Sequence, residues 1–78
     1  MESPMDRAAL HQRLAEIEAK IVGVKHQIGE QRQVIVKLES VSRPVDHAKY
    51  LLAGLELLQA AYRESRNAML AELIEVSH

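Results

Sequence analysis

His26 and Glu30 stand four residues apart, a spacing that on a helix could bring both side chains to one metal ion. Two donors without a third do not make a metal site, and on a solvated helix face the same spacing makes a plain i, i+4 side-chain pair, which is the reading expected here. His11 and His47 fall far apart in the chain and His78 ends it. None of the four has beside it the nucleophile and acid that acyl transfer needs. The expected catalytic, cofactor-binding and metal-binding residues are therefore none, and the protein reads as a non-enzyme.

Histidine phosphotransfer is the rival chemistry. In such domains a lysine and a glycine closely follow the phospho-accepting histidine. Here His26 is followed by Gln27, Ile28 and Gly29, and His47 by Ala48 and Lys49, so neither segment offers the whole arrangement. Nucleic-acid binding is the second rival. Arg13, Lys20, Lys25 and Arg32 alternate with Glu16, Glu18 and Glu30, leaving no continuous basic stripe, and no aromatic residue is interleaved for base stacking. With ten basic and eleven acidic residues the chain has a formal charge of −1, unlike a protein whose affinity rests on neutralising phosphates.

The elements that would carry these residues are helices. Leu10, Leu14, Ile17, Ile21, Val24, Ile28, Gln31, Ile35 and Leu38 recur at alternating steps of four and three, the heptad of a helix packing along a left-handed coiled-coil seam. Leu14, Ile21, Ile28 and Ile35 occupy a positions. Gln31 is the single polar member, either fixing register through a hydrogen bond or reaching past Gly54 to water. Ser3, Pro4 and Asp6 form a helix-start signal, so the first helix is expected over about residues 4–39.

Ser40 to Pro44 interrupts the pattern as a hinge, and Asp46 favours a second helix over about residues 45–76. Its expected seam is Ala48, Leu51, Leu55, Leu58, Tyr62, Met69, Leu73 and Val76, regular to Tyr62 and shifting past Ser65. Tyr62 should sit in the core with its hydroxyl at the rim. A short hinge makes the helices antiparallel, which gives an all-α helical hairpin in one domain spanning residues 1–78.

A chain of 78 residues with no cysteine and only two aromatic residues builds a small aliphatic core without disulfides, so oligomerisation is the expected source of extra stability. The stretch from Ala48 to Tyr62 carries only Lys49 and Glu56 as charges and is apolar around nearly its whole circumference. One neighbouring helix cannot cover it. Leu52, Leu57, Leu70 and Ile74 are left without a place in the seam and are expected in a second interface. Helix one offers Ala15, Val22 and Gly29, seven apart, as small residues that could receive a second hairpin. The expected assembly is a homodimeric four-helix bundle, with a helical segment of another protein as the alternative partner.

The start MESPMD lacks a basic region followed by an apolar run, and the longest uncharged apolar stretch, Tyr50 to Leu55, is far short of the ~20 residues that span a bilayer. A soluble, cytoplasmic protein without membrane contact is expected.

The run from Gln31 to Glu39, followed by Leu51, Leu52, Leu55, Glu56 and Gln59, resembles a family of short bacterial proteins known mainly as hypothetical reading frames. That resemblance covers most of the chain and implies a two-helix hairpin, with no activity and no functional residue attached. The function expected is a non-enzymatic protein–protein interaction or regulatory module that self-associates through helix packing.

Overall fold

Long runs of residues that favour helix, punctuated only between Val41 and Val45, leave the chain two elements. These are α1, Pro4–Ser40, and α2, Asp46–Val76. The computed structural model describes residues 4–76, so the serine expected as the first cap, Ser3, and His78 lie outside the described residues. There is no strand among the described residues. The helices pack antiparallel in a rod with extents of 61 × 14 × 14 Å. As residue numbers fall along α1 through Gln31, Lys20 and Arg7, their partners rise along α2 through Ala48, Tyr62 and Val76.

The seam of α1 follows its heptad without exception. Ile17, Ile21, Val24, Ile28 and Ile35 are buried, while Leu10, Leu14, Gln31 and Leu38 are half-buried. Every other residue of α1 from Asp6 onward is exposed. Burying each large aliphatic side chain contributes about 1.5–3 kcal/mol, so this stripe is the main source of cohesion between the helices.

The turn closes through backbone bonds. The Leu38 carbonyl accepts from the Arg43 amide at 2.9 Å, and the Glu39 carbonyl from the Ser42 amide at 3.1 Å. This pair of bonds ends a helix whose next residue turns left-handed, and Ser42 does so with φ of 56°. The Ser40 hydroxyl donates to the Lys37 carbonyl at 2.7 Å, satisfying another acceptor of the last turn. After Pro44, the Val45 carbonyl accepts from the Lys49 amide at 2.8 Å and starts α2. The connection between the helices thus spans residues 41–45, one residue beyond the expected hinge.

On α2 the seam differs from expectation. Its less exposed residues are Ala48, Leu52, Leu55, Gln59, Tyr62, Arg66, Met69, Leu73 and Val76, which with Val45 just before the helix make an unbroken alternation of three and four. Leu51 and Leu58, expected in the seam, are instead 44% and 40% exposed, and Leu52 and Gln59 hold those register positions. There is no shift past Ser65, because Arg66 continues the heptad. The Leu51–Leu52 doublet offers two aliphatic candidates and hydrophobicity alone selects the wrong one, while at the Leu57–Leu58 doublet neither leucine is the seam residue and hydrophobicity passes over Gln59. Gln59 and Arg66 escape notice because their heads are polar, although long stems can lie along an apolar seam. The Arg66 guanidinium turns aside to the Asn67 side-chain oxygen at 3.4 Å.

Candidate interaction surface

With Leu52, Gln59, Arg66 and Leu73 at a and Ala48, Leu55, Tyr62, Met69 and Val76 at d, every other residue of α2 has a defined position around the rod. Two antiparallel helices pair e with e and g with g, which gives the hairpin two distinct flanks. Arg32 and Glu56, both at e, mark the first with a 3.8 Å ion pair between half-exposed side chains. On the second lie the g residues Val34 of α1 and Leu51 and Leu58 of α2, with Val41 of the connection beyond the end of α1.

The second flank divides along its length. Near the turn it holds a groove of about 530 Å³ lined by Gln31, Tyr50, Leu51, Gly54, Leu57 and Leu58. Tyr50 and Leu57 stand 75% and 74% exposed on its outer shoulder. Toward the chain ends the same flank becomes polar, with Asp6, Arg13, Glu72 and Glu75 around another depression. Gln31 sits at the inner edge of the apolar groove, and its Nε2 donates to the Ala48 carbonyl at 3.0 Å. That bond orients Gln31 along the seam rather than outward past Gly54.

The residues expected in a second interface do not share a face. Leu52 lies in the seam. Leu57 belongs to the apolar groove, whereas Leu70 and Ile74, at e and b, belong to the side carrying the Arg32–Glu56 pair. Ala15, Val22 and Gly29 are exposed at b of α1, on that same side. A Cβ added at Gly29 or Gly23 would meet nothing within 4 Å, so neither glycine is required by packing inside one hairpin. Tyr62 holds a seam position but is half-buried, with the Lys20 ammonium 5.9 Å from its ring centroid. The apolar groove combines residues that the sequence reading had divided between seam and exterior. Its signal in the sequence is Tyr50, Leu51, Gly54, Leu57, Leu58 and Ala61, a stripe at helical spacing beside the true seam.

His26 Nε2 lies 2.6 Å from Glu30 Oε1, and the two side chains are 76% and 66% exposed. They make the solvated i, i+4 pair that their spacing suggests. No cluster of three or more potential metal-ligating side chains occurs among the described residues. His11 and His47 are also exposed. Among the described residues, no helix is long and apolar enough to cross a membrane.

Compared with protein-family models, curated proteins and solved structures, the chain matches none. A compact monomer of 8.8 kDa exposes ~4,800 Å², whereas this chain exposes 6109 Å², a surplus of roughly 1,300 Å². The radius of gyration is 17.8 Å, against ~11.5 Å for a compact chain of this length. No large side chain is fully buried among the described residues.

Proposed function

We propose that this protein is a non-enzymatic interaction module that self-associates, two hairpins packing into a four-helix bundle. The supporting observation is the apolar flank, where Tyr50, Leu51, Leu57 and Leu58 stand together in water within a single hairpin. Contiguous exposed aliphatic surface of this kind marks association sites on soluble proteins. A second hairpin would bury it and double the number of helices around the seams, removing the weakness of a two-helix core. Its role would then be regulatory or structural, exercised through assembly. The exposed His26–Glu30 pair gives phosphotransfer little to build on, and the mixed surface charge gives nucleic acid no basic track. Light scattering on the purified chain across a concentration series tests the reading. Twice the 8.8 kDa chain mass is expected, and a monodisperse monomer at high micromolar concentration would overturn it.

A further inference from the structure

Resting on the proposal of self-association, we infer that the docking surface is the turn half of one flank, formed by Val34, Tyr50, Leu51, Leu57 and Leu58 around Gly54, and that its occupant is the same surface of a second copy. The opposite flank, with Val22, Leu70 and Ile74, stays in water.

Three observations favour this surface and this occupant. The groove gathers Tyr50, Leu51, Leu57 and Leu58 of α2 beside Gln31 of α1, and Val34 of α1, outside the groove lining, holds a g position on the same flank as Leu51 and Leu58. On the other flank, Val22 and Val36 are separated from Leu70 and Ile74 along the rod, and the Arg32–Glu56 ion pair lies on that side. Burial there would require desolvating a charge pair.

The second observation concerns charge. Val34, Tyr50, Leu51, Gly54, Leu57 and Leu58 bring no carboxylate, ammonium or guanidinium into the patch. A two-fold interface places each surface against its own copy, so it must be self-complementary, and an uncharged patch meets itself without like-charge repulsion. The terminal half of the same flank, with Arg13, Glu72 and Glu75, does not share that property. Turn half therefore docks on turn half.

Area is the third. A stable interface needs ~800 Å² from each partner, and the rod as a whole exposes roughly 1,300 Å² more than a compact monomer of its mass, which is of the size a second copy of the hairpin would cover.

The test compares three single substitutions of equal charge by sedimentation equilibrium: Leu57→Glu, Tyr50→Glu and Ile74→Glu. Leu57 and Tyr50 project from the rod, so changing them removes nothing from the intramolecular seam. Leu57→Glu and Tyr50→Glu are expected to weaken the dimer at least tenfold, and Ile74→Glu to leave it within about twofold of wild type. Thermal unfolding followed by circular dichroism at several concentrations supplies a second readout. The wild-type and Ile74→Glu midpoints should rise with concentration, and the other two should not. A dimeric wild type that survives Leu57→Glu and Tyr50→Glu, or loses its partner equally with all three, overturns the choice of surface while leaving self-association standing. A monomeric wild type defeats self-association itself.

Discussion

The Gln31 side-chain amide donates to the Ala48 backbone carbonyl at 3.0 Å, tying the one polar residue of the α1 seam to the first turn of α2. Ala48 is itself buried, the one buried residue of α2 among the described residues. The bond ties α1 to α2 near the turn, so it constrains the axial register of the hairpin.

Replacing Gln31 separates that constraint from stability. Gln31→Leu restores an unbroken aliphatic seam, adds apolar burial and lowers the rotamer entropy lost on ordering from ~1.5–2 kcal/mol to about 0.5–1 kcal/mol, against a hydrogen bond worth about 0.5–1.5 kcal/mol. Urea unfolding should show a gain of about 1 kcal/mol for Gln31→Leu and a loss of about 1 kcal/mol for Gln31→Ala. A marked destabilisation by leucine would mean that the bond matters for more than register.

Ser42 holds a left-handed conformation, φ 56°, at the point where α1 ends. Glycine adopts that conformation without Cβ strain, which costs other residues about 1–2 kcal/mol. Ser42→Gly is expected to raise stability by about 0.5–1 kcal/mol, and Ser42→Val to lower it by more than 1 kcal/mol. Thermal midpoints at one fixed concentration check both.

Burial separates two otherwise similar aliphatic positions of α1. Ile28 is 5% exposed and Val22 is 67% exposed. Ile28→Ala should cost about 2–5 kcal/mol and leave the hairpin largely unfolded at room temperature, whereas Val22→Ala should stay within about 0.5 kcal/mol of wild type. Equal losses in far-ultraviolet circular dichroism melts would place Val22 in an interface.

Gly23 and Gly29 interrupt α1 with open space where their side chains would be. Alanine at either position should stabilise the hairpin by about 0.5–1 kcal/mol by restricting the unfolded chain and improving helix propensity. A loss of stability with Gly29→Ala, seen only at concentrations where the protein is dimeric, would identify the α1 small-residue stripe as the docking face.

The Arg32–Glu56 pair, 3.8 Å apart and half-exposed, should contribute little. Glu56→Gln is expected to change stability by less than about 0.5 kcal/mol, with the difference vanishing in 1 M salt. A larger, salt-resistant effect would show that the pair is shielded from solvent in the assembled protein.

The course of α1 was legible from residue types alone because large aliphatics recur at every heptad position from Leu10 to Leu38 except Gln31, while the remaining apolar residues, such as Val22, Val34 and Val36, form no second stripe as regular. The alternation of four and three over nine positions identifies the buried face. The hinge was equally plain, since Pro44 and the hydroxyl residues before it disfavour continuing the helix.

The inward face of α2 was a different matter. Leu51 and Leu52, and again Leu57 and Leu58, differ by one position and by no chemistry that hydropathy registers. Packing against α1 decides: the heptad that starts at Val45 and Ala48 brings Leu52 inward in place of Leu51, and brings Gln59 inward while both Leu57 and Leu58 stay exposed. Amino-acid order alone determined that two long helices would form, where they would break, and which stripe α1 would bury, because those follow from local propensity and a one-per-turn pattern. Which leucines of α2 face inward, what Gln31 bonds to, and where the uncovered aliphatics gather were decided by the tertiary fold, since each depends on the rotation of one helix about its axis relative to the other.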